Sequence, residues 1–318
     1  MEQYPAIEPY ETGMLDVGDG HRVYWESCGN PEGTPALIVH GGPGSGNSPG
    51  SRRNWDPQRY RIIHLDQRHC GRSTPAASDP ATPLTANTTR HLIADIEQLR
   101  EHLGIERWVV YGSSWGTTVA LVYAEAHPQR VRALILVYLL LARRGDLRWL
   151  YHEVGRYFPE QWQQFRSKVG IGHQDDLLAG YNQLLNESGD ANVQREAARA
   201  WCDWEDTVRS LEPGWTPSAR YQDPDFRMQF ARLVTHYFSH DAWLTEDQIL
   251  DDVHRLAGIP GVIIHGRVDT GNPVDMPWAL AQGWPEADLR IMPGVGHTGH
   301  PPTLENILAA TERFADAK

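Results

Sequence analysis

Residues 109–118 read Val109-Val110-Tyr111-Gly112-Ser113-Ser114-Trp115-Gly116-Thr117-Thr118. An apolar run suited to a buried β-strand breaks here at Gly-x-Ser-x-Gly and continues in small residues typical of a helix. A serine at such a strand-to-helix turn exposes its Oγ at the top of a sheet. The stretch therefore predicts a nucleophile elbow, with Ser114 as the nucleophile.

A glycine-rich segment, His40-Gly41-Gly42-Pro43-Gly44-Ser45-Gly46, follows the third predicted strand. In hydrolases with this elbow one oxyanion donor is the N–H after the serine, here that of Trp115, and the second comes from this loop. A phosphate-binding loop is the other interpretation, but neither G-x-G-x-x-G nor G-x-x-x-x-G-K-[ST] fits. We therefore predict an oxyanion hole formed by the N–H groups of Gly42 and Trp115, with Gly41 in contact with the substrate.

Two segments late in the chain supply an acid and a base for Ser114. The segments His265–Asp269 and Pro293–His297 each follow a predicted strand, so their side chains would lie at the sheet edge that presents the serine. Serine, then acid, then histidine is the chain order found with this elbow. We predict Asp269 as the orienting acid and His297 as the general base.

Each of these two residues has a competitor nearby. Asp275 could be the acid, but it follows Gly271-Asn272-Pro273 and is typical of a helix start. His300 could be the base, but Gly296-His297 is the pair that directly leaves the strand turn. The order of the chain favours Asp269 and His297.

Strand-like and helix-like segments alternate around the elbow. Repeated alternation of this kind predicts a largely parallel sheet covered by helices on both faces. The predicted strands are Met14–Val17, Arg22–Cys28, Ala36–His40, Tyr60–Leu65, Trp108–Tyr111, Ala133–Val137, Gly261–His265 and Leu289–Met292. The predicted helices of the sheet region are Thr88–Leu103, Trp115–Ala126, Met276–Gln282 and Pro302–Ala315.

Between about residues 143 and 250 the pattern changes to helices rich in Trp, Tyr, Arg and Glu, with no run typical of a buried strand. A helical insertion into an α/β core would cover the carboxyl ends of the strands, where ligands of open α/β sheets bind. We predict an α/β core formed by residues 1–142 and 251–318 and a helical cap formed by residues 143–250.

Composition narrows the classes of partner. The formal charge of −12 argues against a nucleic acid or an anionic membrane surface as partner. The N-terminus lacks a basic region followed by an apolar run, and the apolar run Ala133–Ala142 is far shorter than the roughly 20 residues that span a bilayer. Three widely spaced cysteines, Cys28, Cys70 and Cys202, are typical of reduced thiols. We expect a cytoplasmic protein, and the oligomeric state stays open.

These motifs together resemble one family, the proline iminopeptidases, which are prolyl aminopeptidases of the α/β-hydrolase superfamily. The resemblance implies an α/β-hydrolase fold with an inserted all-helical cap, and a serine peptidase without metal or cofactor. It also implies release of an N-terminal residue, typically proline, from small peptides. The blocks that carry the resemblance are His40–Gly44, Asp66–Arg68, Cys70–Ser73, Asn87–Thr89, Gly112–Gly116, Phe158–Glu160, His236–Phe238, Ile259–Ile263, His265–Arg267, Trp284–Ala287 and Gly296-His297.

The substrate-binding positions depart from the family pattern. The family holds the substrate ammonium with glutamates in the cap; Glu205 matches one of them, whereas Val234 stands at the position of a second. Val137 stands where the family has a substrate-contacting arginine, and His69 and His300 also replace family residues without an assigned role. Losing one carboxylate and one guanidinium would make the pocket drier and less charged.

Three hypotheses follow for the activity. The first is release of an N-terminal proline or small residue from peptides through an acyl-enzyme on Ser114. The second is hydrolysis of another apolar amide or ester, such as an aminoacyl group on a biosynthetic intermediate. The third, a binding protein without turnover, is disfavoured because all three triad residues are present.

Overall fold

The central sheet has eight strands in the part of the chain that the structure describes. The structure is a computed structural model that describes residues 2–297 and 301–316. The strands are β1 (Glu11–Asp16), β2 (Arg22–Gly29), β3 (Thr34–Val39), β4 (Tyr60–Leu65), β5 (Trp108–Ser113), β6 (Val131–Val137), β7 (Gly261–Gly266) and β8 (Ala287–Met292).

The strand order is β1-β2-β4-β3-β5-β6-β7-β8. β2 pairs antiparallel with β1 and with β4, and all other neighbours are parallel. In a parallel arrangement the carboxyl ends of β3, β5, β6 and β7 meet at one edge, so the loops that follow these strands converge there. The mostly parallel sheet predicted from the sequence is confirmed.

The central strands β5, β6 and β7 are buried, since helices cover both faces of the sheet there. Along β5, Trp108 and Val110 pack in one hydrophobic cluster, whereas Val109 and Tyr111 pack in the other. Successive side chains of a strand point to opposite faces. A strand buried on both faces therefore reads as one continuous apolar run, as it does in this sequence.

The α-helices are α1 (Thr89–His102), α2 (Trp115–Ala126), α3 (Arg144–Tyr151), α4 (Pro159–Ser167), α5 (Leu177–Asn182), α6 (Ala191–Arg209), α7 (Pro224–Phe238), α8 (Gln248–Asp251), α9 (Asp275–Gly283) and α10 (Pro301–Phe314). None of the helices in residues 2–297 and 301–316 is long and apolar enough to cross a membrane.

Only helices and short turns lie between β6 and β7 in the described chain, from α3 to α8. α7 attaches this helical segment to the loops of the sheet region. The guanidinium of Arg232 donates to the carbonyl oxygens of Ala77 and Thr82, both at 2.8 Å. Gln229 Nε2 donates to the Gly44 carbonyl at 2.9 Å. The change from strands to helices lies near residue 143, and the division into core and cap stays a prediction.

Candidate active site

The backbone at Ser114 has the sharp turn expected of an elbow. Ser114 has φ 55° and ψ −126° and directly precedes α2. A Cβ on Gly112 would collide with the Gly116 carbonyl oxygen, and a Cβ on Gly116 would collide with the Val39 carbonyl oxygen. Glycine is therefore required at both positions, because the turn brings β5, α2 and β3 into backbone contact.

The glycine loop after β3 closes over the same serine. A Cβ on Gly41 would lie 3.2 Å from Ser114 Cβ, and Gly42 has φ +118°, a conformation that other residues rarely adopt. Trp115 is the first residue of α2, in the turn whose N–H groups lack partners within the helix. The structure thus brings Gly41, Gly42 and Trp115 to Ser114, as the sequence predicts.

Gln67, just after β4, links these two segments. Its Nε2 donates to the His40 carbonyl oxygen at 2.9 Å, and its Oε1 accepts from the Trp115 indole at 3.2 Å. Its backbone N–H donates to His40 Nε2 at 3.0 Å. Sequence reasoning assigned Gln67 no role, although it lies in one of the blocks that carry the resemblance. The buried amide ties the glycine loop to the start of α2.

The predicted acid and base meet across the loops after β7 and β8. His297 Nδ1 donates to Asp269 Oδ2 at 2.7 Å, and Asp269 is 5% exposed. Burial acts to raise the pKa of Asp269, but His297, His265 and the Asn272 N–H together outweigh it, and the pKa is lowered overall. Backbone N–H groups of Gly271 and Asn272 also donate to Asp269 Oδ1. The carboxylate is thus held charged and oriented toward the imidazole.

The alternative acid does not reach this site. Asp275 is the first residue of α9, with a side chain that is 70% exposed and 3.6 Å from a guanidinium nitrogen of Arg143. The alternative base, His300, lies outside the described residues.

Tyr138 gives the imidazole of His297 an aromatic wall. The two rings stack with centroids 4.8 Å apart. Tyr138 follows β6 directly and has φ 56°, so its backbone turns sharply just after the strand. Sequence reasoning did not single out this residue, because an aromatic side chain after a buried strand usually belongs to the core.

Glu212 contacts the predicted base from the helical segment. Its Oε2 accepts a hydrogen bond from the His297 backbone N–H at 2.8 Å, and its side chain is buried. A Cβ on Gly296 would collide with the Glu212 carboxyl group, so this approach requires glycine before the histidine. Sequence reasoning missed Glu212, because no local motif marks a carboxylate that meets its partner 85 residues away.

Ser114 and His297 line one cavity of about 370 Å³. The sheet side of this cavity includes Gly41, Gly42 and Tyr138, and the helical side includes Phe230. Two arginines, Arg209 and Arg220, also line it from the helical side, together with Tyr221. Polar side chains of residues 45–51 complete the wall.

Glu205, the predicted ammonium ligand, lies behind this wall. It is 5% exposed and is not among the described residues that line the cavity. Its Oε1 accepts from the Tyr151 hydroxyl at 3.0 Å, and a guanidinium nitrogen of Arg209 lies 3.7 Å from its Oε2. Burial raises the pKa of Glu205 despite the nearby Arg209.

The structure does not bring the other predicted substrate positions to the cavity. Val137 ends β6 and is fully buried beneath the elbow, where its carbonyl oxygen accepts from the Ser114 N–H at 2.9 Å. Val234 is buried within α7. His69 is also buried, and its ring nitrogens bond to His21 and to the Pro75 carbonyl at 3.0 Å each. All three side chains pack inside the protein.

Comparison with known proteins defines the class. Residues 34–302 match the family model described as alpha/beta hydrolase fold. A solved proline iminopeptidase from Mycobacterium smegmatis superposes with a TM-score of 0.62 over 96% of this chain and 97% of that chain, at 19% sequence identity. The structure of VinJ gives a TM-score of 0.61 over 97% and 99%, also at 19% identity. These structures share the fold, and the class of protein is α/β hydrolase.

Relatives found by sequence similarity narrow this class to one family. A probable proline iminopeptidase from Streptomyces coelicolor is 49% identical over 99% of this chain and 98% of its own length. The proline iminopeptidase of Xylella fastidiosa strain Temecula1 is 43% identical over 98% of both chains. The chain belongs to the proline iminopeptidase family of α/β hydrolases. The family, fold class and enzyme class predicted from the sequence are confirmed.

Proposed function

We propose that the protein releases an N-terminal proline or small residue from small peptides through an acyl-enzyme on Ser114. The observation that carries this proposal is the 2.7 Å hydrogen bond from His297 to buried Asp269, since His297 and Ser114 line the same cavity. Family membership supports the same reaction. Three free, buried cysteines support the expectation of a reducing, cytoplasmic compartment.

The proposed reaction has two steps. In the first, Ser114 Oγ attacks the scissile carbonyl carbon while His297 Nε2 takes the hydroxyl proton, and Asp269 stabilises the resulting imidazolium. The N–H groups of Gly42 and Trp115 hold the oxyanion. His297 then gives the proton to the leaving amine, and the acyl group remains on the serine. In the second step water, activated by His297, releases the N-terminal residue.

Glu205 is the proposed ligand of the substrate ammonium. A buried carboxylate pairs well with an ammonium because the charge-assisted hydrogen bonds form away from water. Arg209 lies 3.7 Å from Glu205, beyond hydrogen-bond distance, so the carboxylate keeps acceptor capacity. The ammonium would compete with Arg209 for this carboxylate.

One observation favours the second candidate, hydrolysis of an apolar amide or ester that lacks a free amine. Glu205 is already engaged by Tyr151 and faced by Arg209, and it does not line the cavity in the described residues. A substrate without an ammonium would leave these contacts undisturbed. Substrate preference decides between the two candidates.

Covalent labelling tests the nucleophile. A fluorophosphonate should modify Ser114, and Ser114→Ala should lose labelling and at least roughly 10⁴-fold in kcat. Ser113→Ala, one residue away on β5, is the matched control and should still be labelled. An unlabelled wild-type protein, or equal labelling of Ser114→Ala, would contradict the proposal.

A panel of anilides tests the substrate. Pro-, Ala- and N-acetyl-Pro-anilides share the leaving group and differ in the acyl part. The proposal expects the highest kcat/KM for free Pro or Ala, whereas preference for N-acetyl-Pro supports the second candidate. Glu205→Gln should raise KM about tenfold or more for free amines and much less for the acetylated substrate. Equal effects on both would make Glu205 a structural residue.

A further inference from the structure

We propose that Arg220, with Arg209 beside it, forms a subsite for a carboxylate on the leaving group of the substrate. The substrate class is then the free dipeptide, whose C-terminal carboxylate belongs to the residue that departs. This inference rests on the proposed peptide hydrolysis and names the substrate of the same site.

The charged groups around the cavity are arranged asymmetrically. Two guanidiniums, from Arg209 and Arg220, line the cavity, and none of its described lining residues is Asp or Glu. The nearby carboxylates are engaged elsewhere: Asp269 with His297 and two backbone N–H groups, Glu212 with the His297 N–H, and Glu205 with Tyr151. The wall that meets the substrate therefore presents positive charge.

The two arginines differ in their partners. Arg209 lies 3.7 Å from Glu205, so part of its charge is compensated. Arg220 stacks over the Phe226 ring at 4.9 Å, and within residues 2–297 and 301–316 it forms no ion pair. Arg220 is exposed to solvent where it lines the cavity and is charged at neutral pH, as arginine side chains are. Arg220 is therefore the cation that an incoming anion would neutralise.

A guanidinium fits a carboxylate in particular. It is planar and donates two parallel hydrogen bonds to the two carboxylate oxygens, which gives orientation as well as attraction. The guanidinium carbon of Arg220 lies over the Phe226 ring, and the residue still lines the cavity. Burial lowers the pKa of His40 at the start of the glycine loop, and the charge of Arg220 contributes in the same direction.

A dipeptide carries its carboxylate close to the scissile bond. Successive Cα atoms are about 3.8 Å apart, so this carboxylate lies one residue from the bond that is cleaved. Ser114 and Arg220 line the same cavity of about 370 Å³. In the proposed function Glu205 binds the substrate ammonium, so the carboxylate of a zwitterionic dipeptide is free to pair with Arg220. A leaving group with a blocked or distant carboxylate would not neutralise the Arg220 guanidinium.

Kinetics with Pro-Ala and Pro-Ala amide test the subsite. Wild type should hydrolyse Pro-Ala with a kcat/KM about tenfold above that of the amide, mainly through KM. Arg220→Gln should remove this preference by lowering kcat/KM for Pro-Ala about tenfold, and Arg220→Lys should recover only part of it because Lys lacks the planar pair of donors. Arg199→Gln, on α6 and outside the cavity lining, removes the same charge and should behave like wild type.

A second pair of substrates separates this inference from the proposed function. 3-Carboxyphenyl acetate and phenyl acetate differ only by a carboxylate on the leaving group and need no proline specificity. If neither peptide is hydrolysed, the proposed function fails, while an Arg220-dependent preference for the carboxylated ester still supports the subsite. Equal rates within each pair, or an equal effect of Arg220→Gln on both members, would overturn the inference.

Discussion

The sheet side and the helical side of the cavity hold their residues in different ways. On the sheet side, Ser114, Asp269 and His297 each follow a strand, and backbone contacts at glycine fix the turns around them. On the helical side, Arg209 and Arg220 reach the cavity through long side chains from α6 and from the turn after it. The first arrangement depends on backbone geometry, the second on a few side chains.

This difference suggests that the sheet side supplies the catalytic groups, whereas the helical side determines which substrates are preferred. The backbone of a strand-end turn is defined mainly by the sheet register and by close contacts at glycine. A guanidinium or carboxylate on a helix can be exchanged without disturbing the backbone, at a cost of roughly tenfold or more in the preference for one substrate. Substitutions on the sheet side should therefore remove activity, whereas those on the helical side should redirect it.

The largest effect should come from the acid on the sheet side. Asp269→Asn removes the charge that orients and stabilises the imidazole of His297, so kcat should fall about 10³- to 10⁴-fold with little loss of stability. Asp275→Asn, six residues later and exposed, should stay within twofold of wild type. Similar activity of the two variants in a steady-state assay would mean that Asp269 is not the acid.

The next largest effect should come from Glu212, which lies on the helical side and accepts a hydrogen bond from His297 on the sheet side. Glu212→Ala leaves the buried His297 N–H without its acceptor and frees the loop that carries the base, so kcat should fall roughly 10- to 100-fold while KM changes little. Glu212→Gln retains an oxygen acceptor and should recover most of kcat. If the two variants have the same kcat, the hydrogen bond does not position His297.

Two buried glutamines give a matched pair for the glycine loop. Gln67 bridges His40 and Trp115 from the sheet side, and Gln229 donates to Gly44 from α7. Gln67→Leu should lower kcat about tenfold because the two segments of the proposed oxyanion hole lose their link. Gln229→Leu should lower kcat less, with both variants losing about 1–3 kcal/mol in urea unfolding. A larger loss of kcat in Gln229→Leu would reverse the comparison.

The smallest effect on activity should come from buried histidines on both sides, which affect the stability of the fold at low pH. Burial lowers the pKa of His64 in β4 and of His236 in α7 to about 4. Between about pH 6.5 and 4 the unfolded chain binds protons that the folded chain does not, so stability falls as pH falls through this window. His64→Leu should flatten the dependence of the unfolding free energy on pH by up to about 1.4 kcal/mol per pH unit. An unchanged slope would contradict the assignment of a neutral, buried His64.

Local sequence carried much of the fold. β4 and α2 begin and end at the predicted residues, because each combines an apolar period with a clear stop signal. The edge strand β1 begins at Glu11 rather than Met14, since its length depends on pairing with β2 and not on an apolar run of its own. Where pairing with a neighbouring strand decides the ends of a strand, its own residues do not predict those ends.

The candidate site divides in the same manner. The Gly-x-Ser-x-Gly turn, the glycine loop and the two strand ends are local signals, and they suffice to predict Ser114, Gly42, Asp269 and His297. Val137 illustrates the limit: alignment with the family suggested a substrate contact, yet this side chain packs fully buried beneath the elbow. An aligned position shows which family residue Val137 replaces. It does not show what the Val137 side chain packs against in this protein.

The sequence by itself determined the order of strands and helices and the strand-to-helix turn at Ser114, because each is encoded in contiguous residues and in backbone preferences. Only the tertiary structure decided which side chains surround the reacting groups. Glu212 and Gln67 meet partners that are distant in sequence, and Arg220 lines a cavity together with residues of the sheet region. Such contacts follow from packing, which no local pattern records.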